Sequence, residues 1–266
     1  MGGSSVRVAF KRALARSRSR RTAPGVTILV YHRVGGDSPD ELDLDTATFA
    51  AQIDVLDRSD VVSLDEAMHR LKAGDDAPCV VLSFDDGFAD IYDNAWPLLH
   101  QRRLPFTLFL ATAYVGGRMR WDGSTASADG PGLSWKQIDE FVSSGLCTIG
   151  NHTHSHAPPD RLTCDELDTC SSVIERHLGM RPQHFAYPWG IPVAHLEDEL
   201  RRRFRTAATG IVGRNLPGRD PMRLRRVPVR RTDPLGFFEA KLTGLLLPER
   251  TYGALVATAK RAGARA

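Results

Sequence analysis

Two consecutive acidic residues, Asp85 and Asp86, directly follow an apolar run and lie within the segment Ser83–Gly87. Adjacent carboxylates repel each other unless a cation or a shared proton relieves the repulsion. A divalent metal ion would let one carboxylate act as a ligand while the other stays free as a base. Because an Asp-Gly pair also favours a tight turn, a purely structural turn is the alternative explanation.

Three histidines lie within five residues, at positions 152, 154 and 156. In one helical turn His152 and His156 would share a side, as metal binding requires, whereas an extended segment would place all three imidazoles on one face. His154 is the member for which a solvent-facing position is the simplest alternative. Two imidazoles and one carboxylate suit Zn²⁺ with open positions for water, or another divalent first-row metal.

The elements that must position these residues are apolar segments that alternate with amphipathic ones from Val26 onward. Such alternation predicts β/α units around a parallel sheet, whose chemistry lies at the carboxyl ends of the strands. Polar residues follow four predicted strands: His32 after Val26–Tyr31, Asp85 and Asp86 after Cys79–Phe84, residues 151–156 after Cys147–Gly150, and Trp189 with Gly190 after His184–Tyr187. We expect these groups to meet at one edge of the sheet. Residues 116–132, rich in Gly and Ser, predict a long surface loop.

The segments Ser83–Gly87 (Ser-Phe-Asp-Asp-Gly) and 152–156 (His-Thr-His-Ser-His) resemble the first two motifs of the polysaccharide deacetylases, the NodB-homology family of carbohydrate esterase family 4. The resemblance spans roughly residues 26–233. It implies an α/β fold with a single distorted (β/α) barrel that removes N-acetyl groups from amino sugars. It also implies that Asp85 is the general base and that Asp86, His152 and His156 hold one divalent metal ion. The implied ion is Zn²⁺, with Co²⁺, Fe²⁺ or Ni²⁺ as alternatives.

The third motif departs from the family's pattern. Residues 186–190 read Ala-Tyr-Pro-Trp-Gly in place of the usual Arg-Pro-Pro-Tyr/Phe-Gly, so the arginine that orients the base is absent. Arg226 or Arg230 could replace it from another strand. Together with Tyr187 and Pro188, these two arginines are the residues that we expect to contact the substrate.

The family's general acid is a histidine near the end of the chain, but no histidine follows His195 here. The first predicted strand ends in Val-Tyr-His, which resembles a circularly permuted subgroup whose last barrel strand has moved to the front. The resemblance therefore nominates His32 as the general acid. It also implies that the backbone N–H of Trp189 helps to stabilise the oxyanion formed during hydrolysis.

Basic residues are spread unevenly over the 266 residues, of which 42% are hydrophobic and 25% charged, for a formal net charge of +3. Residues 1–25 hold seven Lys and Arg and no acid, and they lack the apolar stretch of a signal peptide. We expect a flexible basic leader over 1–25 and a single barrel domain over 26–266. No apolar run approaches the ~18 residues of a membrane span, and the four cysteines lack the spacing of a disulfide scaffold or zinc knuckle. We expect a cytoplasmic protein; the alternative to a flexible leader is a short basic amphipathic helix that rests peripherally on the inner membrane face or on a polyanion.

Eleven arginines and a single acid lie between Arg201 and Arg231. No aromatic interleaving accompanies them, so nucleic-acid binding is not expected. The basic charge favours either a solvated face or an N-acetylated glycan that is anionic or lipid-linked. Three alternatives to a glycan deacetylase remain: an amide hydrolase for a small molecule, an Fe(II) oxygenase that uses the same Asp-His-His set, and an inactive barrel that binds glycans or membranes.

Overall fold

A computed structural model describes residues 3–15, 22–121, 129–244 and 246–263 of the chain. Its centre is a closed barrel of seven parallel strands, which confirms the expected (β/α) barrel. In barrel order the strands are β1 (Val26–Tyr31), β4 (Cys79–Asp86), β5 (Phe106–Leu110), β6 (Cys147–Asn151), β7 (His184–Ala186), β8 (Thr206–Val212) and β9 (Leu224–Pro228). Two short strands, β2 (Arg33–Val34) and β3 (Asp43–Leu44), pair outside the barrel.

Helices surround the barrel on its outer side. They are α1 (Gly3–Leu14), α2 (Thr46–Leu56), α3 (Leu64–Lys72), α4 (Trp96–Gln101), α5 (Trp135–Ser143), α6 (Cys164–Leu178), α7 (Glu197–Arg203), α8 (Leu235–Leu242) and α9 (Leu247–Gly263). Helix α5 begins with a capping box: the Ser134 hydroxyl accepts from the Gln137 N–H, and the Gln137 side chain accepts from the Ser134 N–H. A π-helical turn at Ile91–Ala95 directly precedes α4.

The first and last strands close the barrel. Every residue of β1 is buried, as expected for a Val/Ile-rich strand of a parallel sheet. β1 pairs with β4 on one side and with β9 on the other, where Leu29 lies opposite Val227. The sequence suggested a further strand near Arg226 or Arg230 but not its bounds, because the arginines of β9 interrupt its short apolar pattern. The closure brings His32, directly after β1, to the same edge as the end of β4.

Residues 3–14 are helical, whereas the sequence predicts a flexible leader. Helix α1 is held by Lys11, whose side chain is fully buried and donates to Asp233 at 2.7 Å and to the Thr232 hydroxyl at 2.8 Å. Arg7 forms an ion pair with Glu41 at 2.8 Å. Two of the leader's cations are therefore bound within the fold, which explains the departure from the expectation; residues 16–21 lie outside the described part.

Two further sequence expectations concern membranes and thiols. None of the described helices is both long enough and apolar enough to cross a bilayer. All four cysteines are free thiols, and burial raises the pKa of Cys170 to about 12. The Cys170 thiol is therefore protonated and acts as a small apolar side chain in the core.

Candidate metal and catalytic centre

The carboxyl ends of the strands surround a cavity of about 370 Å³. The polar side chains that line it come from five different places in the sequence and meet only because the barrel closes. The lining residues are Val30, His32, Asp40, Leu42, Asp85, Asp86, Trp121, His152, His156, Trp189, Gly190, Gly210, Arg226 and Pro228. The sequence-based expectation that polar groups would collect at one edge therefore agrees with the structure.

Asp86, His152 and His156 form a compact group of potential metal ligands. Their ligand atoms all lie within 4.8 Å of one another, and the three residues are buried. Asp86 Oδ1 is 3.4 Å from His152 Nε2 and 3.3 Å from His156 Nε2. Both distances exceed the usual range of an N–H···O hydrogen bond. The three ligand atoms therefore converge on one point without forming good hydrogen bonds to one another.

The donor set fits a divalent transition metal. Within the described part of the chain, Asp86 Oδ1 is buried and has no hydrogen-bond partner, which is costly unless a ligand satisfies it. His152 Nδ1 lies 2.8 Å from the Ala186 carbonyl oxygen, which orients Nε2 of the same ring toward Asp86. One carboxylate and two imidazoles are ligands that zinc and neighbouring first-row metals accept.

Charge interactions set the protonation of this group. Burial raises the pKa of Asp86, but the two imidazoles lower it more, and the result lies well below that of an ordinary carboxyl group. Burial lowers the pKa of His156, and Asp86 offsets this only in part. For His152 burial also lowers the pKa, but Asp85 and Asp86 together raise it above its usual value. Asp86 is thus a carboxylate, as a metal ligand must be.

Asp85 is the second carboxylate, and Arg226 is its partner. Arg226 Nη1 donates to Asp85 Oδ1 at 2.7 Å, and Arg226 Nε donates to the Thr209 carbonyl at 3.1 Å. Both charged side chains are about 3% exposed. Burial raises the pKa of Asp85, but the charges of Arg226, His152 and His32 together outweigh this effect, so the pKa is lower than usual. Asp85 is consequently an ionised, oriented carboxylate beside the candidate metal ligands.

His32 and Trp189 both line this cavity. His32 is half-buried, and its Nδ1 atom is buried without a hydrogen-bond partner in the described part of the chain. Trp189 is 46% exposed at the rim and has a φ of 61°. Asp86 and His156 also have positive φ, at 75° and 53°. Such backbone strain in non-glycine residues is typical of functional sites.

The glycine after Trp189 is required by a close backbone approach. A Cβ atom on Gly190 would lie 2.6 Å from the Cα atom of Gly210, and Gly190 has a φ of +67°. The turn that carries Trp189 therefore packs directly against β8, which fixes one wall of the cavity.

Three residues expected to contact substrate lie elsewhere. Tyr187 is buried with Phe185, 5.0 Å away between ring centroids, in a cluster that packs against α7. Since side chains alternate along a strand, Phe185 and Tyr187 share the outer face, away from the cavity. Pro188 is buried in the following turn and does not line the cavity. Arg230 lies beyond the end of β9 and pairs with Glu249 at 2.5 Å. Arg226 alone of the two candidate arginines reaches the site.

The sequence left the position of His154 open, and the structure places it outside the cavity lining. His154 Nδ1 is 2.9 Å from the Thr112 hydroxyl, and its backbone N–H donates to the Glu166 carbonyl. His154 therefore secures the loop that carries the two other histidines.

Trp121, Asp40 and Leu42 also line the cavity and were not predicted from the sequence. Trp121 lies in the predicted surface loop, and its ring centroid is 4.2 Å from that of His156. The sole available signal was an isolated aromatic residue within a Gly/Ser-rich stretch. Asp40 and Leu42 lie between β2 and β3, in a segment without motif or periodicity.

The arginine-rich stretch carries less free charge than its composition indicates. Seven of its eleven arginines form ion pairs with acidic side chains: residues 201, 202, 203, 205, 223, 226 and 230. The acidic partners come from other segments, mainly from Glu197, Glu199 and Asp168. Most of these arginines are therefore neutralised by acidic side chains of the protein itself, so their charge does not require an anionic ligand.

This chain is similar in sequence to known polysaccharide deacetylases. Residues 72–203 match the sequence model of a family described as polysaccharide deacetylase. Poly-β-1,6-N-acetyl-D-glucosamine N-deacetylase of Staphylococcus epidermidis is 33% identical over 125 residues, which are 42% of this chain and 40% of that protein. The matched region thus spans less than half of that curated relative.

Two solved structures share the fold over most of the chain. The structure of IcaB from Ammonifex degensii superposes with a TM-score of 0.70 and 28% identity, covering 84% of this chain and 98% of that one. A polysaccharide deacetylase from Bacillus cereus superposes with a TM-score of 0.68 and 22% identity, covering 82% of this chain and 69% of that one. The family match contains both aspartates and both cavity histidines, whereas His32 and Arg226 lie outside it.

Proposed function

We propose that this chain, whose residues 72–203 belong to the polysaccharide deacetylase family, is a metal-dependent hydrolase that removes N-acetyl groups from an amino-sugar polymer. The observation that carries the proposal is the convergence of Asp86, His152 and His156 on one point, with the ionised Asp85 beside them. These are the parts that amide hydrolysis by water requires: a place for a Lewis acid and a base for the attacking water.

The Asp-His-His group would hold one divalent ion, for which we propose Zn²⁺, with Co²⁺, Fe²⁺ and Ni²⁺ as candidates in a competition experiment. When bound, such an ion supplies a Lewis acid that polarises the acetyl carbonyl and increases the acidity of water. Asp86 and the two imidazoles are already oriented for it, since His152 is fixed through the Ala186 carbonyl. Little rearrangement is then needed on binding.

Asp85 acts in this proposal as the general base. Its lowered pKa keeps the carboxylate ionised at neutral pH, and the bond to Arg226 fixes one of its oxygens. The other oxygen accepts a proton from the water molecule that attacks the acetyl carbon.

His32 acts as the general acid. The water oxygen forms a bond to the acetyl carbon, the carbon–nitrogen bond breaks, and protonated His32 donates its proton to the departing nitrogen, giving acetate and a free amine. The backbone N–H of Trp189 stabilises the negative oxygen of the tetrahedral intermediate. Both residues line the cavity, which supports these roles.

We propose a β-linked polymer of N-acetylglucosamine as the substrate class, as in the name of the curated relative. The paired state of most arginines between 201 and 231 favours a neutral polymer over an anionic or lipid-linked one. The half-exposed Trp189 ring at the rim offers an apolar surface for a sugar ring.

Acetate release from N-acetylglucosamine oligosaccharides tests the proposal. We expect the zinc-loaded protein to release one acetate per free amine formed, and Asp85→Asn to retain zinc and lose most turnover. Asp85→Asn with wild-type turnover would remove Asp85 from the role of base. Zinc uptake without acetate release from any oligosaccharide would favour a small-molecule amide substrate or an inactive barrel. Oxygen consumption by the iron-loaded protein would instead support an oxygenase.

A further inference from the structure

The two histidines of the metal group are held in different ways. His152 Nδ1 has the Ala186 carbonyl oxygen as its partner at 2.8 Å. His156 is 5% exposed, and its Nδ1 atom has no hydrogen-bond partner in the part of the chain that the structure describes. Metal-binding histidines almost always use their second nitrogen in a hydrogen bond that fixes the ring. Another contact must therefore orient His156.

Aromatic rings supply that contact. The Trp121 ring lies against His156, with 4.2 Å between centroids and 35° between planes. Trp189 meets the same imidazole edge-on at 5.4 Å, and His152 lies at 5.1 Å. Trp121 is thus nearest, and its tilted, stacked arrangement restricts rotation of the imidazole about its side-chain bonds.

The Trp121 ring in turn packs against two further aromatic rings. Its ring centroid is 5.7 Å from that of Tyr114 and 6.1 Å from that of Phe88, which follows the Asp-Asp-Gly segment. The Arg33 guanidinium lies 4.5 Å above the Phe88 ring and pairs with Asp90 at 2.7 Å. A continuous set of contacts therefore connects the strand after His32 with the ring that faces His156.

We propose that Trp121 is a positioning residue for His156, which orients the imidazole by stacking where His152 is oriented by a hydrogen bond. Trp121 touches neither the metal ion nor the reacting atoms in this proposal. The inference rests on the metal site of the proposed function. Its consequence is that metal affinity depends on the presence of an aromatic ring at position 121.

Zinc affinity of the full chain, measured by competition with a chromophoric chelator, tests this role. We expect Trp121→Leu, which keeps apolar bulk but has no ring, to bind zinc about 10–100-fold more weakly, the usual effect of losing a supporting contact. Trp121→Phe should bind with nearly wild-type affinity. Trp135→Ala is the matched control, because Trp135 stacks on His177 at 4.1 Å, outside the cavity; its zinc affinity should not change.

A metal-free measurement separates this proposal from the proposed function. In protein with ¹⁵N-labelled histidine, we expect one sharp set of His156 ring signals for the wild type and Trp121→Phe, and broadened or doubled signals for Trp121→Leu. Unchanged ring signals and unchanged zinc affinity in a folded Trp121→Leu variant would overturn the positioning role. If the wild type binds no divalent ion, the proposed function fails, and the ring signals alone still decide the role of Trp121.

Discussion

Replacing Arg226 by methionine would leave the Asp85 carboxylate buried without its counter-ion. The two side chains meet at 2.7 Å and are each about 3% exposed, so water cannot replace the lost partner. Methionine keeps the length and apolar contacts of the side chain, including those near Phe109. The substitution therefore removes the charge and its hydrogen bonds and little else.

The expected loss of stability is large. Removing one partner of a buried ion pair costs about 3–5 kcal/mol. An unfolding entropy of about 2.1 cal/mol/K per residue gives roughly 0.56 kcal/mol/K for a chain of this length. The melting temperature of Arg226→Met should therefore fall by about 5–9 °C. Arg226→Lys, which keeps a positive charge, should lose less, and the double variant Asp85→Asn/Arg226→Met should be more stable than Arg226→Met alone.

The pH dependence has a definite sign. In the wild type the pKa of Asp85 is lowered, because the charge of Arg226 and the smaller contributions of His152 and His32 together outweigh the effect of burial. The ionised pair thus contributes stability that is present at neutral pH and is lost as the pH falls through that lowered pKa. Without Arg226, burial raises the pKa of Asp85. The destabilisation of Arg226→Met is then greatest at neutral pH and shrinks on acidification, and the acid limb of its kcat/KM profile moves to higher pH.

Thermal melts across pH and the pH profile of acetate release check this reasoning. All variants are compared at equal zinc loading, because bound metal itself raises the melting temperature. A folded Arg226→Met variant that melts with the wild type and keeps its acid limb would refute the role of Arg226 as the counter-ion of Asp85.

Three further outcomes are expected. Asp86→Ala should lose the divalent ion in elemental analysis, whereas His154→Ala should keep it, because His154 lies outside the cavity; equal metal content would contradict the ligand assignment. Lys11→Met should reduce the free energy of unfolding in denaturant by about 1.5–3 kcal/mol, because Asp233 loses one of its two lysine partners; wild-type stability would show that α1 is not held by this pair. Tyr187→Phe should leave KM for the acetylated oligosaccharide unchanged, since Tyr187 is buried away from the cavity, and a raised KM would contradict that placement.

The sequence predicted the parts of the site that depend on local order. Asp85 and Asp86 follow a run of buried strand residues, and the spacing of His152 and His156 is itself a metal-binding pattern. The rule that parallel strands place their carboxyl ends at one edge then brings these segments together. The same reasoning could have placed Tyr187 on the face of Phe185, outside the cavity lining.

The remaining parts depend on contacts between distant segments. Nothing in the arginine-rich stretch distinguishes Arg226 from Arg230 until β9 is known to be a strand that ends at Pro228. Trp121 reaches His156 from a segment without periodicity. The partner of Lys11 is Asp233, which lies 222 positions away in the sequence. The residues next to Lys11 in the sequence therefore give no indication that its side chain is buried. Such long-range pairings leave no periodic trace.

The pairing of β1 with β9 has a consequence for protein synthesis. Asp85 and Arg226 are 141 residues apart. The strands β1 and β9, which pair to close the barrel, are separated by an even longer stretch of sequence. At about 5–20 residues per second, a ribosome needs roughly 7–28 s to extend the chain from Asp85 to Arg226. Until β9 is made, the strands β1 and β4 to β8 can form only an open sheet, because β9 is the strand that joins β8 to β1. The proposed catalytic site is therefore complete only when the newly made β9 docks and brings Arg226 to Asp85.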